Sequence, residues 1–185
     1  IGVDRLCHPD MNQLAAELTE DTILISIMGV NNETGTIMPM SEIAKIKADY
    51  NKAHGTDIWL HSDCVQAFGK IPVDLAANYR GVDLLSLSAH KIHGPKGTGF
   101  LYIGEKVKIR PILFGGGQQR DIRSGTENVP GIAGLGLAAE LAYKDFDIKT
   151  ALMRELKEYF ISEIGQMENT VIHGVADEGS APHII

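Results

Sequence analysis

The chain has two cysteines in 185 residues, Cys7 and Cys64, and no CxxC pair. That leaves no ligand set for a zinc ribbon and no redox dithiol. So few cysteines suit a reducing compartment, and a cytoplasmic location is expected. Basic residues are scarce: 17 Lys and Arg stand against 24 Asp and Glu, giving a net charge of −7 and a pI of 5.4. A chain this acidic is a poor general binder of nucleic acid. Long apolar runs are missing too. The longest, Thr22 to Val30, is strand-sized, whereas a membrane span needs roughly 18 residues. No basic stretch followed by an apolar one opens the chain, so no secretory leader is expected. The seven histidines show no HExxH pattern, and His90 and His93 are the only close pair, so no metal centre is expected.

Apolar residues make up 44% of the chain and charged residues 22%, the composition of an ordinary globular domain rather than a disordered segment. Glycine is enriched, with 20 residues, or about 11% against roughly 7% on average. Strand-like and helix-like stretches alternate. Asp10 is placed to cap a helix carrying Leu14, Ala15 and Leu18. Ile23 to Met28 reads as a strand buried on both faces. Ser41 is placed to cap a helix with Ile43, Ala44, Ile46 and Tyr50 that Gly55 closes. Further strands are expected at Ile58–His61, Val82–Leu87 and Phe100–Ile103, the last after a glycine-rich turn. Two helices follow: Gly131 to Tyr143, and about Asp147 to Ile164 with Ile148, Leu152, Leu156 and Phe160 at every fourth position. Thr170 to Ile172 reads as one more strand. This order predicts an α/β fold with a mostly parallel sheet and flanking helices. A composition change near Asp145 puts one domain at 1–145 and the start of a small α+β domain at 146–185.

In open α/β sheets ligands bind beyond the carboxyl ends of the strands. Four such places carry polar clusters: Asn31-Asn32-Glu33, Asp63 to Gln66, Ser88 to Lys91, and Arg123 to Thr126. Taken singly, each is what any loop after a strand carries. Together they supply a carboxylate, an amide, anion donors and an amine. Those are the groups that pyridoxal 5'-phosphate requires: a carboxylate for its ring nitrogen, a donor for its phenolic oxygen, donors for its phosphate and a lysine for its aldehyde. Asp63, after a buried strand, is expected to be partly desolvated and to need a cationic partner or several donors. Val65 would share its direction if strand geometry persists, leaving Cys64 in the core. Gly94 to Gly99 lacks the ending of a phosphate loop and reads as the turn presenting Lys91. Gly131, Gly134 and Gly136 read as helix packing.

The stretches SIMGVNNETG, HSDCVQAFGKIPVD, SLSAHKIHGPKGTGFLYI and LFGGGQQRDIRSGTENV resemble, in order, the cofactor-binding half of the cysteine desulfurases, fold-type I enzymes of the class V aminotransferase branch. The resemblance runs from about Asp10 to the end of the chain. It departs at Cys64 and Val65, where the family's Asp-Ala-x-Gln has alanine first. It implies that Lys91 attaches to the cofactor aldehyde and that Asp63 binds the pyridine nitrogen. It implies further that Gln66 bonds the phenolic oxygen with Asn32 beside it or the substrate, that Ser88 and His90 hold the phosphate, and that Thr126 reaches the phosphate of the other subunit in a homodimer. Gly115 to Gly117 and Arg123 would shape that crossing loop.

The resemblance also implies L-cysteine as substrate, a sulfur-acceptor or scaffold protein as partner, and iron–sulfur assembly or thiolation as the destination of the sulfur. Selenocysteine lyases and other class V enzymes share nearly all of these motifs. A third reading is a non-catalytic piece serving folding or dimerisation. The family's nucleophilic cysteine and its carboxylate-binding arginine match no residue here, so the chain is expected to be a central fragment that releases no sulfide alone.

Overall fold

The computed structural model describes residues 1–174 and 177–185. Four strands make one sheet: β1 (Leu24–Met28), β2 (Trp59–Asp63), β3 (Leu84–Ser88) and β4 (Gly99–Ile103), in that spatial order. The first three are parallel and β4 runs antiparallel to β3, so the sheet is mostly parallel, as expected. Met28 lies level with Asp63, Asp63 with Ser86, and Ser88 with Gly99. The carboxyl ends of all three parallel strands therefore share one edge.

Helix α1 (Met11–Glu17) starts where Asp10 accepts hydrogen bonds from the amides of Asn12 and Gln13. Helix α2 (Met40–His54) connects β1 to β2 and ends on Gly55 at φ +66°, a left-handed position that suits glycine. Ser41 is not its cap. Pro39 fixes the backbone two residues earlier, and the Ser41 hydroxyl donates to the Asn78 carbonyl at 3.0 Å. One face of the sheet (Ile25, Leu60, Leu85, Leu87) packs into the core with Ile43, Ala44, Ile58 and Tyr79. β1 is covered on that face alone, because Leu24, Ser26 and Met28 on its other face are exposed. On this outer face His61 bridges the strands, with Nδ1 2.8 Å from Ser26 Oγ and Nε2 3.1 Å from Ser86 Oγ.

The amino edge of the sheet is clamped. Lys47, buried on α2, donates to Asp83 Oδ2 at 2.5 Å and to the Gly81 carbonyl at 2.7 Å, while Asp83 Oδ2 also accepts from the Leu60 amide at 2.8 Å.

Helix α3 (Val129–Tyr143) begins where the Asn128 side chain accepts from the Gly131 amide. Helix α4 (Phe146–Ile164) follows a turn through Asp145 at φ +54°. Its apolar stripe does not face the core: Ile148, Leu152, Leu156 and Phe160 are exposed, and the buried residue of α4 is Lys157, 2% exposed. Lys157 donates to Ser180 Oγ at 2.6 Å and to the Ala181 carbonyl at 3.1 Å. Thr170 to Ile172 forms no strand. The chain instead pairs at Ser180 with Thr36, through Ile37 N to Gly179 O (2.9 Å) and Ala181 N to Gly35 O (2.8 Å). Those bonds satisfy the backbone of the loop after β1, which has no other strand beside it among the described residues.

Candidate active site

At the end of β1 the chain turns through Asn31, whose side-chain oxygen accepts from the amides of Glu33 (2.8 Å) and Thr34 (3.0 Å). This Asx-type turn presents Asn32, exposed, with its amide donating to Glu33 Oε1 at 3.2 Å.

Asp63 closes β2. Its Oδ1 accepts from the Val65 amide at 2.9 Å. It is exposed and pairs with no cation among the described residues, where the ion pairs are His8–Asp4 and Lys47–Asp83. Asp63 is open to solvent at the strand end, so the expected desolvation is not present in this chain. Strand geometry also stops here. The amides of Ala67 and Phe68 turn back to the Cys64 carbonyl, so Val65 sits in a turn and does not continue the direction of Asp63. Cys64 is fully buried, 3.4 Å from Ser62 Oγ, and burial pushes its thiol pKa up.

Gln66 lies in the same turn, half-buried. Its Oε1 accepts from His183 Nε2 at 3.3 Å. His183 carries no signal of its own in the sequence, since it lies 117 positions from Gln66 in a segment without a motif.

Beyond β3 a 3₁₀ turn, Ala89–Ile92, buries Ala89 and Ile92 and leaves His90 and Lys91 exposed. The bond from Ala89 N to Thr98 O (2.9 Å), that from Gly94 N to Ala89 O (2.9 Å), and His93 at φ +66° fix this turn. Ser88 Oγ lies 3.2 Å from His90 Nδ1, so two anion donors stand together. Helix α3 backs the turn through glycines. A Cβ on Gly134 would fall 2.6 Å from Pro95 Cγ, and one on Gly131 would fall 2.6 Å from Thr98 Oγ1. Gly136 meets nothing and takes no part in this packing.

Asn32, Asp63, Gln66, Ser88, His90 and Lys91 therefore gather on the carboxyl edge of three adjacent parallel strands. Thr126 does not join them by any hydrogen bond. It lies on an exposed turn beside Gly125, whose amide donates to Gln118 Oε1 at 3.0 Å, and Arg123 donates to the Ser124 carbonyl at 3.1 Å.

The profile of the class-V aminotransferases matches residues 1–185. The chain belongs to the class-V aminotransferase family. Among relatives of this class-V chain, the cysteine desulfurase IscS of Dictyoglomus turgidum is 49% identical over 164 residues, covering 89% of this chain and 40% of the relative. The putative cysteine desulfurase IscS 1 of Bacillus subtilis is 39% identical over 185 residues, covering all of this chain and 47% of the relative. In solved structures, a NifS-like protein superposes with a TM-score of 0.89 at 40% identity, covering 97% of this chain and 47% of that one. DndA from Streptomyces lividans gives 0.81 at 32%, covering 96% and 49%. The chain thus spans less than half the length of these relatives. Its sheet and flanking helices are those of the class-V fold.

The residues of this class-V chain fit pyridoxal phosphate by their chemistry. Asp63 keeps an oxygen without a donor among the described residues, open to a ring N–H. Gln66 has its carbonyl engaged and its amide nitrogen free to donate. Ser88 and His90 offer donors to an anion, and Lys91 offers an amine without an ion-pair partner among the described residues. Among the described residues, no helix is long and apolar enough to cross a membrane.

Proposed function

We propose that this chain is the cofactor-holding part of a pyridoxal-phosphate-dependent cysteine desulfurase that takes sulfur from L-cysteine. The observation that carries the reading is the pairing, on one sheet edge, of an exposed Lys91 held on a 3₁₀ turn with a carboxylate, Asp63, that no cation among the described residues neutralises. The names of the relatives as cysteine desulfurases support the substrate.

The cofactor, when bound, supplies an electron sink for the carbanion formed next to the substrate amine. This chain's residues do the rest. Lys91 holds the cofactor aldehyde and moves a proton at its Nζ. Asp63 accepts a hydrogen bond from the ring nitrogen and keeps it protonated. Gln66 donates to the phenolic oxygen, Asn32 stands beside it, and Ser88 with His90 binds the phosphate. Thr126 completes the phosphate site of a second subunit in a homodimer, with Arg123 shaping the loop that crosses. Cys64 is not the sulfur-accepting thiol, because it is buried and its pKa is raised. That thiol belongs to a segment outside these residues, and a sulfur acceptor or scaffold for iron–sulfur assembly receives its product. A division at Asp145 into 1–145 and 146–185, and a cytoplasmic setting for the two free cysteines, belong to the same proposal.

The test is borohydride reduction of the full protein after loading with pyridoxal phosphate, followed by peptide mapping. The label is expected on Lys91, and Lys91→Ala should abolish turnover. A label on Lys96 or Lys70 instead overturns the assignment.

A further inference from the structure

The segment after residue 176 reaches back across the molecule and ends against the candidate site. Ser180 pairs with Thr36 in the loop that carries Asn32, and Lys157 and Arg154 of α4 hold its carbonyls. Three residues on, His183 meets Gln66. An amide oxygen accepts hydrogen bonds and never donates, so the 3.3 Å contact requires the proton to be on His183 Nε2. The other ring nitrogen, Nδ1, is buried without a partner among the described residues, which suits a bare lone pair and not an N–H. The ring is neutral. Burial and the positive charges of Lys70, Lys157 and Lys91 hold its pKa down at about 4. A neutral ring with its proton fixed on Nε2 holds Gln66 in one orientation. With its oxygen turned to His183, the Gln66 side chain has its NH2 group left to donate at the sheet edge where Asp63 and Lys91 lie.

We infer that His183 is a positioning residue that orients the Gln66 amide so that its nitrogen donates to the phenolic oxygen of the cofactor. The inference rests on the proposed function. It deepens that reading by adding a residue from the C-terminal segment to a site otherwise built from strand ends. Without His183 the amide could flip and present its oxygen to an anionic phenolic oxygen, placing two acceptors face to face.

The experiment compares wild type, His183→Phe, His183→Gln and Gln66→Ala in the full protein. Two quantities are read: the dissociation constant for pyridoxal phosphate by titration, and the position and pH dependence of the visible band of the bound cofactor, which reports the phenolic oxygen. Phe fills the space of the ring without a donor. Loss of one hydrogen bond to a charged oxygen should weaken binding about tenfold to a hundredfold and shift the band as Gln66→Ala does. Gln keeps a donor and should restore both within about twofold.

The double variant His183→Phe/Gln66→Ala should be no worse than Gln66→Ala alone, since both remove one interaction. Should His183→Phe not fold, His183→Leu replaces it, and the cycle with Gln66→Ala is read in the same way. Cofactor binding and a visible band unchanged in the donor-free variant overturn the inference and leave the proposed function standing. So do additive effects in the double variant. A wild-type protein that takes up no pyridoxal phosphate overturns the proposed function, and this inference with it.

Discussion

Two aspartates flank the same sheet at opposite edges and live in opposite surroundings. Asp83 precedes β3 at the amino edge. Its Oδ2 takes the Lys47 ammonium at 2.5 Å and the Leu60 amide at 2.8 Å, with Lys47 buried beside it. Asp63 ends β2 at the carboxyl edge. It takes one amide at 2.9 Å from its own turn and no cation among the described residues. The first carboxylate is used up by the fold, whereas the second is held in place by a rigid strand and left with capacity for a ligand. The lesson is that an acidic residue at a strand terminus acquires meaning from what neutralises it. The same contrast separates Lys47, committed to α2's docking, from Lys91, presented on a turn.

The comparison can be broken by mutation, beginning at the amino edge. Lys47→Ala leaves the half-buried Asp83 without its cation. Removing one partner of such a part-buried, hydrogen-bonded pair costs about 2–3 kcal/mol. Urea unfolding should show that loss, while the folded fraction keeps its affinity for pyridoxal phosphate. If Lys47→Ala instead abolished cofactor binding without loss of stability, the two edges would not be distinct.

Asp63→Asn should do the reverse. Turnover in the full protein is expected to fall by at least about a hundredfold, or about 2.7 kcal/mol in the barrier. The unfolding midpoint should stay in place, because an exposed carboxylate with one local hydrogen bond contributes little to folding. Near-normal turnover would make Asp63 structural like Asp83.

A third prediction concerns the support of the Lys91 turn. Gly136→Ala meets open space and should stabilise helix α3 by up to about 1 kcal/mol. Gly134→Ala drives a methyl against Pro95 and should cost about 1–2 kcal/mol net from overpacking. Denaturation of the two variants should shift in opposite directions, and equal shifts would remove α3 as the backing of the turn.

A further effect is expected from acid. His183 has a pKa held at about 4 in the folded chain against 6.5 for an ordinary histidine. Between those values the unfolded chain binds the extra proton and the folded chain does not, so this group's contribution favours unfolding as pH falls from about 6.5 to about 4. The cause is burial first, then Lys70, Lys157 and Lys91. Stability curves of wild type and His183→Gln should therefore converge as the pH falls through this window. Parallel curves would show that His183 is not held neutral.

Much of this molecule is legible in the order of its residues. Short apolar runs bounded by turn residues mark the parallel strands, although Ile23–Met28 reads as buried on both faces and β1 is covered on one. Asp10 and Gly55 mark helix ends, because only certain residues satisfy loose backbone groups or adopt a left-handed turn. The clusters after β1, β2 and β3 name Asn32, Asp63, Gln66, Ser88, His90 and Lys91, because a parallel sheet collects the carboxyl ends of its strands on one edge. Local pattern misled where the outcome depends on a partner. The period-four apolar residues of α4 lie exposed, and the helix turns Lys157 inward, since the Ser180 hydroxyl and Ala181 carbonyl satisfy its ammonium. The tertiary structure alone decided which aspartate Lys47 neutralises, where strand geometry stops after Asp63, and that His183 meets Gln66. These are contacts between residues 36 and 117 positions apart, or the closing of a turn, and their energies depend on distances that no local pattern of residues encodes.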